Sequence, residues 1–152
     1  MTDARRGRIY PYRNRLLACG RRALAALVLP TIPQGTSQAR LAGYAVDIAA
    51  LLKGDRNAAI RNHIAVRTTL NAESHTVRSG TRGAAVEIPA DVSFEALLAQ
   101  RCANRPTGST IEFFPSGASC GGAIAISRHG VGYQIRVNWL TGGVEVVPIA
   151  KA

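Results

Sequence analysis

Three histidines, His63, His75 and His129, are the side chains of this chain best suited to hold a metal or move a proton near neutral pH. They fall in three separate stretches with no ligand spacing between them, so each reads as a surface or turn residue. Asp47 with Asp55, and Glu87 with Asp91, are spaced as carboxylate pairs, but both pairs suit a solvated helix or loop face. Ser119-Cys120-Gly121-Gly122 sets a nucleophile beside glycines. A hydrolase elbow, however, needs a strand, Gly-x-Ser-x-Gly and a helix, and a phosphate loop needs a following Lys-Ser or Lys-Thr. A Gly-rich hairpin turn is the better account. No nicotinamide, flavin or haem motif is present, so no cofactor is expected and the chain is not read as an enzyme.

Cysteine chemistry leaves two possibilities. Three cysteines are too few for a disulfide scaffold, and no Cys-x-x-Cys spacing suggests zinc. Cys102 and Cys120 flank one strand and its turns; paired, they would close a loop of about 18 residues and stabilise by roughly 3 kcal/mol in an oxidising compartment. Unpaired, they are two buried thiols.

The elements that would position these groups follow from periodicity. Thr36 or Ser37 can cap a helix whose apolar residues, Leu41, Tyr44, Ala45, Ile48, Leu51 and Leu52, recur at three- and four-residue steps. Gly54-Asp55 is a possible dent, and the helix is expected to end near Asn62-His63. Alternation then takes over. Ile64, Val66, Thr68 and Leu70 share one face, and shorter strands follow at 75–78, 86–88 and 92–98, the last with Val92, Phe94 and Leu97 inward. Residues 101–109 read as a loop. Thr110–Phe114, Ala123–Arg128, Val131–Trp139 and Val144–Ile149 complete the set, with Pro148 suited to an edge. Tyr133, Ile135, Val137 and Trp139 should face one way and Gln134, Arg136 and Asn138 the other. The expected fold is α+β, an N-terminal helix packed on antiparallel sheets of about seven short strands.

The wording of the last third is more specific than its pattern. Ile111-Glu112-Phe113-Phe114-Pro115-Ser116-Gly117, then Gly121-Gly122, then Trp139-Leu140-Thr141-Gly142, closely resembles the C-terminal signature of minor pseudopilins of bacterial type II secretion (general secretion pathway protein H) and of the related fimbrial T-type minor pilins. Those families carry an Asp where this chain has Ser116, a Ser or Thr at Cys120, and an Asp at Asn138. The match runs back more weakly to about Ala23. The resemblance implies a pseudopilin-like globular domain over 36–152 that works by assembly contacts in protein export. Its implied partners are other minor pseudopilins, further secretion-system components and a secreted substrate. It assigns Phe113, Phe114, Pro115, Gly117, Gly121, Gly122, Trp139, Leu140, Thr141 and Gly142 a structural role.

The N-terminal part departs from that family. The 152 residues carry a net charge of +10, but residues 1–22 alone hold seven arginines against Asp3. The basicity therefore belongs mainly to a short leader and argues weakly for a nucleic-acid face on the folded part. Residues 23–35 hold only a remnant of an apolar helix, since Ala23–Leu29 is far short of the ~20 residues needed to span a bilayer. The family's members begin with a basic leader, a peptidase site at Gly-Phe-Thr-Leu-Ile/Leu-Glu, a methylated mature terminus and a membrane helix. Here the codons for Arg8 to Asn14 can be chosen so that a one-base shift spells Gly-Phe-Thr-Leu-Ile-Glu. A local frameshift over about residues 9–22 is the expectation, and the product as written would lack peptidase site and anchor. The family's place is the inner membrane with a periplasmic domain; as written the chain would stay unexported. The alternative is a DNA-binding minor pilin-like protein of natural transformation, for which Arg128 and Arg136 are the candidate phosphate contacts.

Overall fold

Ser37 opens the helix: its hydroxyl accepts the backbone N–H of Arg40, satisfying a donor that has no partner within the first turn. In the computed structural model, which describes residues 35–150, α1 (Gln38–Asn62) then runs unbroken through Gly54 and Asp55. It stops at His63, whose left-handed backbone (φ 54°) caps the last turn. The basic stretch 1–22 and the apolar remnant up to residue 34 lie outside the described residues, and with them the expectations placed there.

Among the described residues ten strands follow, in three sheets. One sheet contains β1 (Val66–Asn71), β2 (Thr76–Arg78), β3 (Ala85–Glu87) and β7 (Thr110–Phe113), in the order β3-β2-β1-β7. The second contains β4 (Ser93–Leu98), β8 (Gly122–Arg128), β9 (Val131–Val137) and β10 (Val144–Ala150), in the order β10-β9-β8-β4. All neighbours in both are antiparallel. The remaining pair, β5 (Arg101–Cys102) and β6 (Arg105–Pro106), is a two-residue hairpin within the stretch expected to be loop, which accounts for part of the excess over seven strands.

Helix α1 lies over both sheets. Its stripe Leu41, Ala45, Ile48, Leu52 and Ala59 is buried against Val66, Leu70, Val77, Ile111 and Phe113 of the first sheet and Phe94, Ile124, Ile126, Ile135 and Val137 of the second. Burying a Leu, Ile or Phe contributes about 1.5–3 kcal/mol each, so this seam is the main driving force for docking helix on sheet.

Three expected orientations change. Leu97 is 75% exposed and Leu98 is turned inward instead. Phe94 sets the phase of β4, and with side chains alternating along a strand, position 98 shares its face and 97 does not. Ile64 is exposed because it lies in the exit from the helix cap, before β1 begins. Trp139 does not continue the inward row of Ile135 and Val137: β9 ends at Val137, and the chain turns at Asn138.

Candidate functional site

Asp55 is the residue whose place the sequence expectation missed. Far from a solvated face, it is 1% exposed. The spacing 41, 45, 48, 52, 55, 59 carries the apolar stripe straight through it, and that continuation was the available signal. Its carboxylate accepts from the Thr68 hydroxyl (2.7 Å), the Ser79 hydroxyl (2.5 Å), the Thr81 hydroxyl (3.0 Å) and the Gly80 N–H (3.0 Å). A buried carboxylate is costly unless hydrogen-bonded. These four donors meet that need and tie α1 to β1 and to the loop between β2 and β3. Asp47, its supposed partner, is exposed on another face of the helix.

The second supposed carboxylate pair also separates. Glu87 is exposed, while Asp91 clamps the start of the helix. It accepts from the N–H and hydroxyl of Thr36 (2.7 and 2.9 Å) and pairs with Arg128 (3.0 Å), which donates in turn to the Thr36 carbonyl. The Thr36 N–H, more than the Arg128 charge, holds the Asp91 carboxyl below the usual carboxylate range.

The three histidines occupy left-handed turn positions, with φ of 54°, 49° and 51° at His63, His75 and His129. That region tolerates His better than most residues. Only His75 packs inward, its ring 5.8 Å from that of Phe94. Among the described residues, no cluster of three His, Cys, Asp or Glu side chains could hold a metal.

The signature residues converge at the far end of α1. Arg56 donates its Nε–H to two carbonyls at once, Gly117 (3.1 Å) and Thr141 (3.0 Å). One belongs to the turn between β7 and β8, the other to the turn between β9 and β10. These two turns touch: a Cβ at Gly142 (φ 64°) would stand 2.0 Å from the Gly117 carbonyl oxygen, so only glycine lets them meet. Asn138 builds the second turn by accepting the N–H groups of Leu140 (2.9 Å) and Thr141 (3.0 Å), which an Asp would do equally well. Ser119 ties the turns again, donating its N–H to the Trp139 carbonyl and its hydroxyl to that of Asn138. Gly121, also left-handed (φ 72°), passes beside Trp139, where an added Cβ would lie 3.1 Å from the tryptophan Cβ.

Phe113 is fully buried, Phe114 half-buried, and Pro115 and Thr141 exposed; Gly117 and Gly142 lie inside the clamp and Gly122 opens β8. Cys102 and Cys120 form a disulfide that fastens the β5–β6 hairpin to the same turn region. Trp139 and Leu140 take no part in the core: they are 67% and 63% exposed on the outside of a turn whose backbone is held from three directions. Arg128 and Arg136 are not brought together. Arg128 pairs with Val131 at the closed end of the β8–β9 hairpin, whereas Arg136 lies opposite Ala123 near its open end and donates to Gln134.

No sequence family matches the chain, and no curated protein is similar to it in sequence. Solved structures are similar in fold. The minor pseudopilin EpsH of the Vibrio cholerae type II secretion system superposes with a TM-score of 0.57 at 10% identity, over 70% of this chain and 95% of that one. The type IV minor pilin FimU of Pseudomonas aeruginosa superposes with a TM-score of 0.53 at 14% identity, over 72% and 90%. The chain thus has the minor pseudopilin and minor pilin fold. Among the described residues no helix is long and apolar enough to cross a membrane.

Proposed function

We propose that this chain acts as a minor pseudopilin-like subunit of a type II secretion pseudopilus, serving protein export through assembly contacts and not through catalysis. The observation that carries the reading is the exposed Trp139–Leu140 pair on a rigidly braced turn. Phe113, Gly117, Gly121, Thr141 and Gly142 have evident work inside the fold; the two large apolar side chains of Trp139 and Leu140 have none, and a preorganised aromatic at a surface is suited to anchoring a partner. The fold shared with EpsH and FimU supports the same class of role. The globular part would lie on the periplasmic side of the inner membrane, where a Cys102–Cys120 disulfide is chemically at home. Anchoring would fall to the segment before residue 35, read in the restored frame.

The test is association of the purified chain with the minor pseudopilins of the same secretion system, measured by analytical ultracentrifugation across a salt range. Formation of a discrete complex that Trp139→Ala weakens is the expected result. Failure to associate, together with steeply salt-dependent binding to DNA, would favour the nucleic-acid alternative. That alternative gains little from Arg128, already committed to Asp91 and Thr36.

A further inference from the structure

Beside the Trp139–Leu140 turn runs an open cleft of about 370 Å³, bounded by Lys53, Arg56 and Asn57 of α1 and by Gly142, Gly143 and Val144. Two of these six residues are cations and none is a carboxylate. The ion pairs Arg67–Glu112 and Arg128–Asp91 lie in other parts of the molecule. Arg56 is held in place by the two carbonyls it binds through Nε, so its positive charge is presented at a fixed point on the cleft wall. Gly142 and Gly143 of the cleft belong to the same turn as the exposed Trp139 and Leu140, a turn closed by the Asn138 N–H on the Gly143 carbonyl and the Gly142 N–H on the Asn138 carbonyl.

From this arrangement we infer that the cleft and the adjoining pair form one docking site for an acidic segment of a partner protein, its carboxylates meeting Lys53 and Arg56 and an apolar side chain packing on Trp139 and Leu140. Charge complementarity selects that occupant. Guanidinium and ammonium groups beside one another favour carboxylates through charge-assisted hydrogen bonds. An apolar contact alongside supplies affinity that salt does not screen. A second copy of this chain is a poor fit, because residues 35–150 hold eleven Lys and Arg against eight Asp and Glu and so repel their like. Because the turn is already braced, docking orders little backbone and loses little entropy.

The inference rests on the assembly reading, whose chemistry of contact it names. It is tested apart from that reading through Trp139, the single tryptophan of the 152 residues. A synthetic peptide Glu-Glu-Leu-Leu-Glu-Glu added to the full chain should shift tryptophan emission to the blue. A Gln-for-Glu peptide and an Ala-for-Leu peptide should each bind about tenfold more weakly, equal to ~1.4 kcal/mol. Lys53→Glu, an exposed helix substitution that spares the fold, should weaken the acidic peptide by a similar factor and leave the Gln peptide unaffected. Absence of a shift, or equal binding of the Gln peptide, overturns the inference. So does tighter binding of an oligothymidine, which would assign the cations to nucleic acid, or concentration-dependent self-association that buries Trp139. If the peptide fails while the partner pseudopilins still associate, the cleft is wrong and the assembly role stands.

Discussion

The two ends of α1 are fastened to the sheets by opposite chemistries. At the start, the fastening is between side chains: Asp91 gathers the Thr36 N–H, the Thr36 hydroxyl and the Arg128 guanidinium. At the far end, Arg56 grips two backbone carbonyls, and two glycine-bearing turns touch each other without side chains between them. The first clamp contains a titrating carboxylate. The second does not, since carbonyls do not ionise in this range and arginine stays charged. The difference teaches that the far end is built for rigidity under changing conditions, and it is the end that displays Trp139 and Leu140.

The largest effect should come from breaking the far end. Gly142→Val puts a β-branched side chain at φ 64°, with its Cβ 2.0 Å from the Gly117 oxygen. A loss of about 4 kcal/mol is expected from backbone strain and overpacking together, read by chemical denaturation. A wild-type-like midpoint would show that the turns do not bear on one another. Next comes reduction of Cys102–Cys120, which should cost about 3 kcal/mol and free the amides of residues 99–109 for hydrogen exchange, leaving the start of the helix protected.

A smaller effect sharpens the comparison by probing the middle of the helix. Asp55→Asn keeps the shape but removes the charge and turns one of the two accepting oxygens into an NH2 group, which cannot accept, so two of the four hydrogen bonds are lost and about 2 kcal/mol should go with them. Thr68→Val measured alone and with Asp55→Asn would give the coupling between them; strict additivity would contradict the network.

The smallest effect distinguishes the two ends by pH. Asp91 has its carboxyl lowered from the ordinary value of 3.8 in the folded chain. A group lowered on folding contributes stability above its unfolded value and loses it as pH falls through its folded value. The clamp at Thr36 should therefore hold from neutrality down to about pH 4 and be lost below it. Asp91→Asn should remove that acid-range loss and leave the Arg56 clamp unchanged, as followed by the amide resonances of Thr36 and Gly117. Equal acid sensitivity of both resonances would refute the contrast.

Several features were legible along the chain because they depend on near neighbours only. The helix span, a hydroxyl cap at Thr36 or Ser37 (Ser37 in the fold), the alternation of Val66, Thr68 and Leu70, and the Gly-rich turns of the last third are of this kind. Asp55 was half legible: the stripe points to it, and Thr68 stands on the buried face opposite, but pairing them needs the helix laid on β1. Leu97 against Leu98 was undecidable locally, since both are apolar and only the register of β4 on β8 selects one.

By itself the sequence determined the α+β class, the order of the helix and the strands other than β5 and β6, and the wording of the terminal signature, because periodicity, capping and turn residues act over a few positions. Only the tertiary structure decided what that wording is for. Arg56 meets Gly117 and Thr141 across 61 and 85 residues, and nothing at such separation is encoded by spacing. Exposure of Trp139 and Leu140 was likewise settled in three dimensions, where the core is filled by Phe113, Ile124 and Ile135 and the turn that carries the two side chains points away from it.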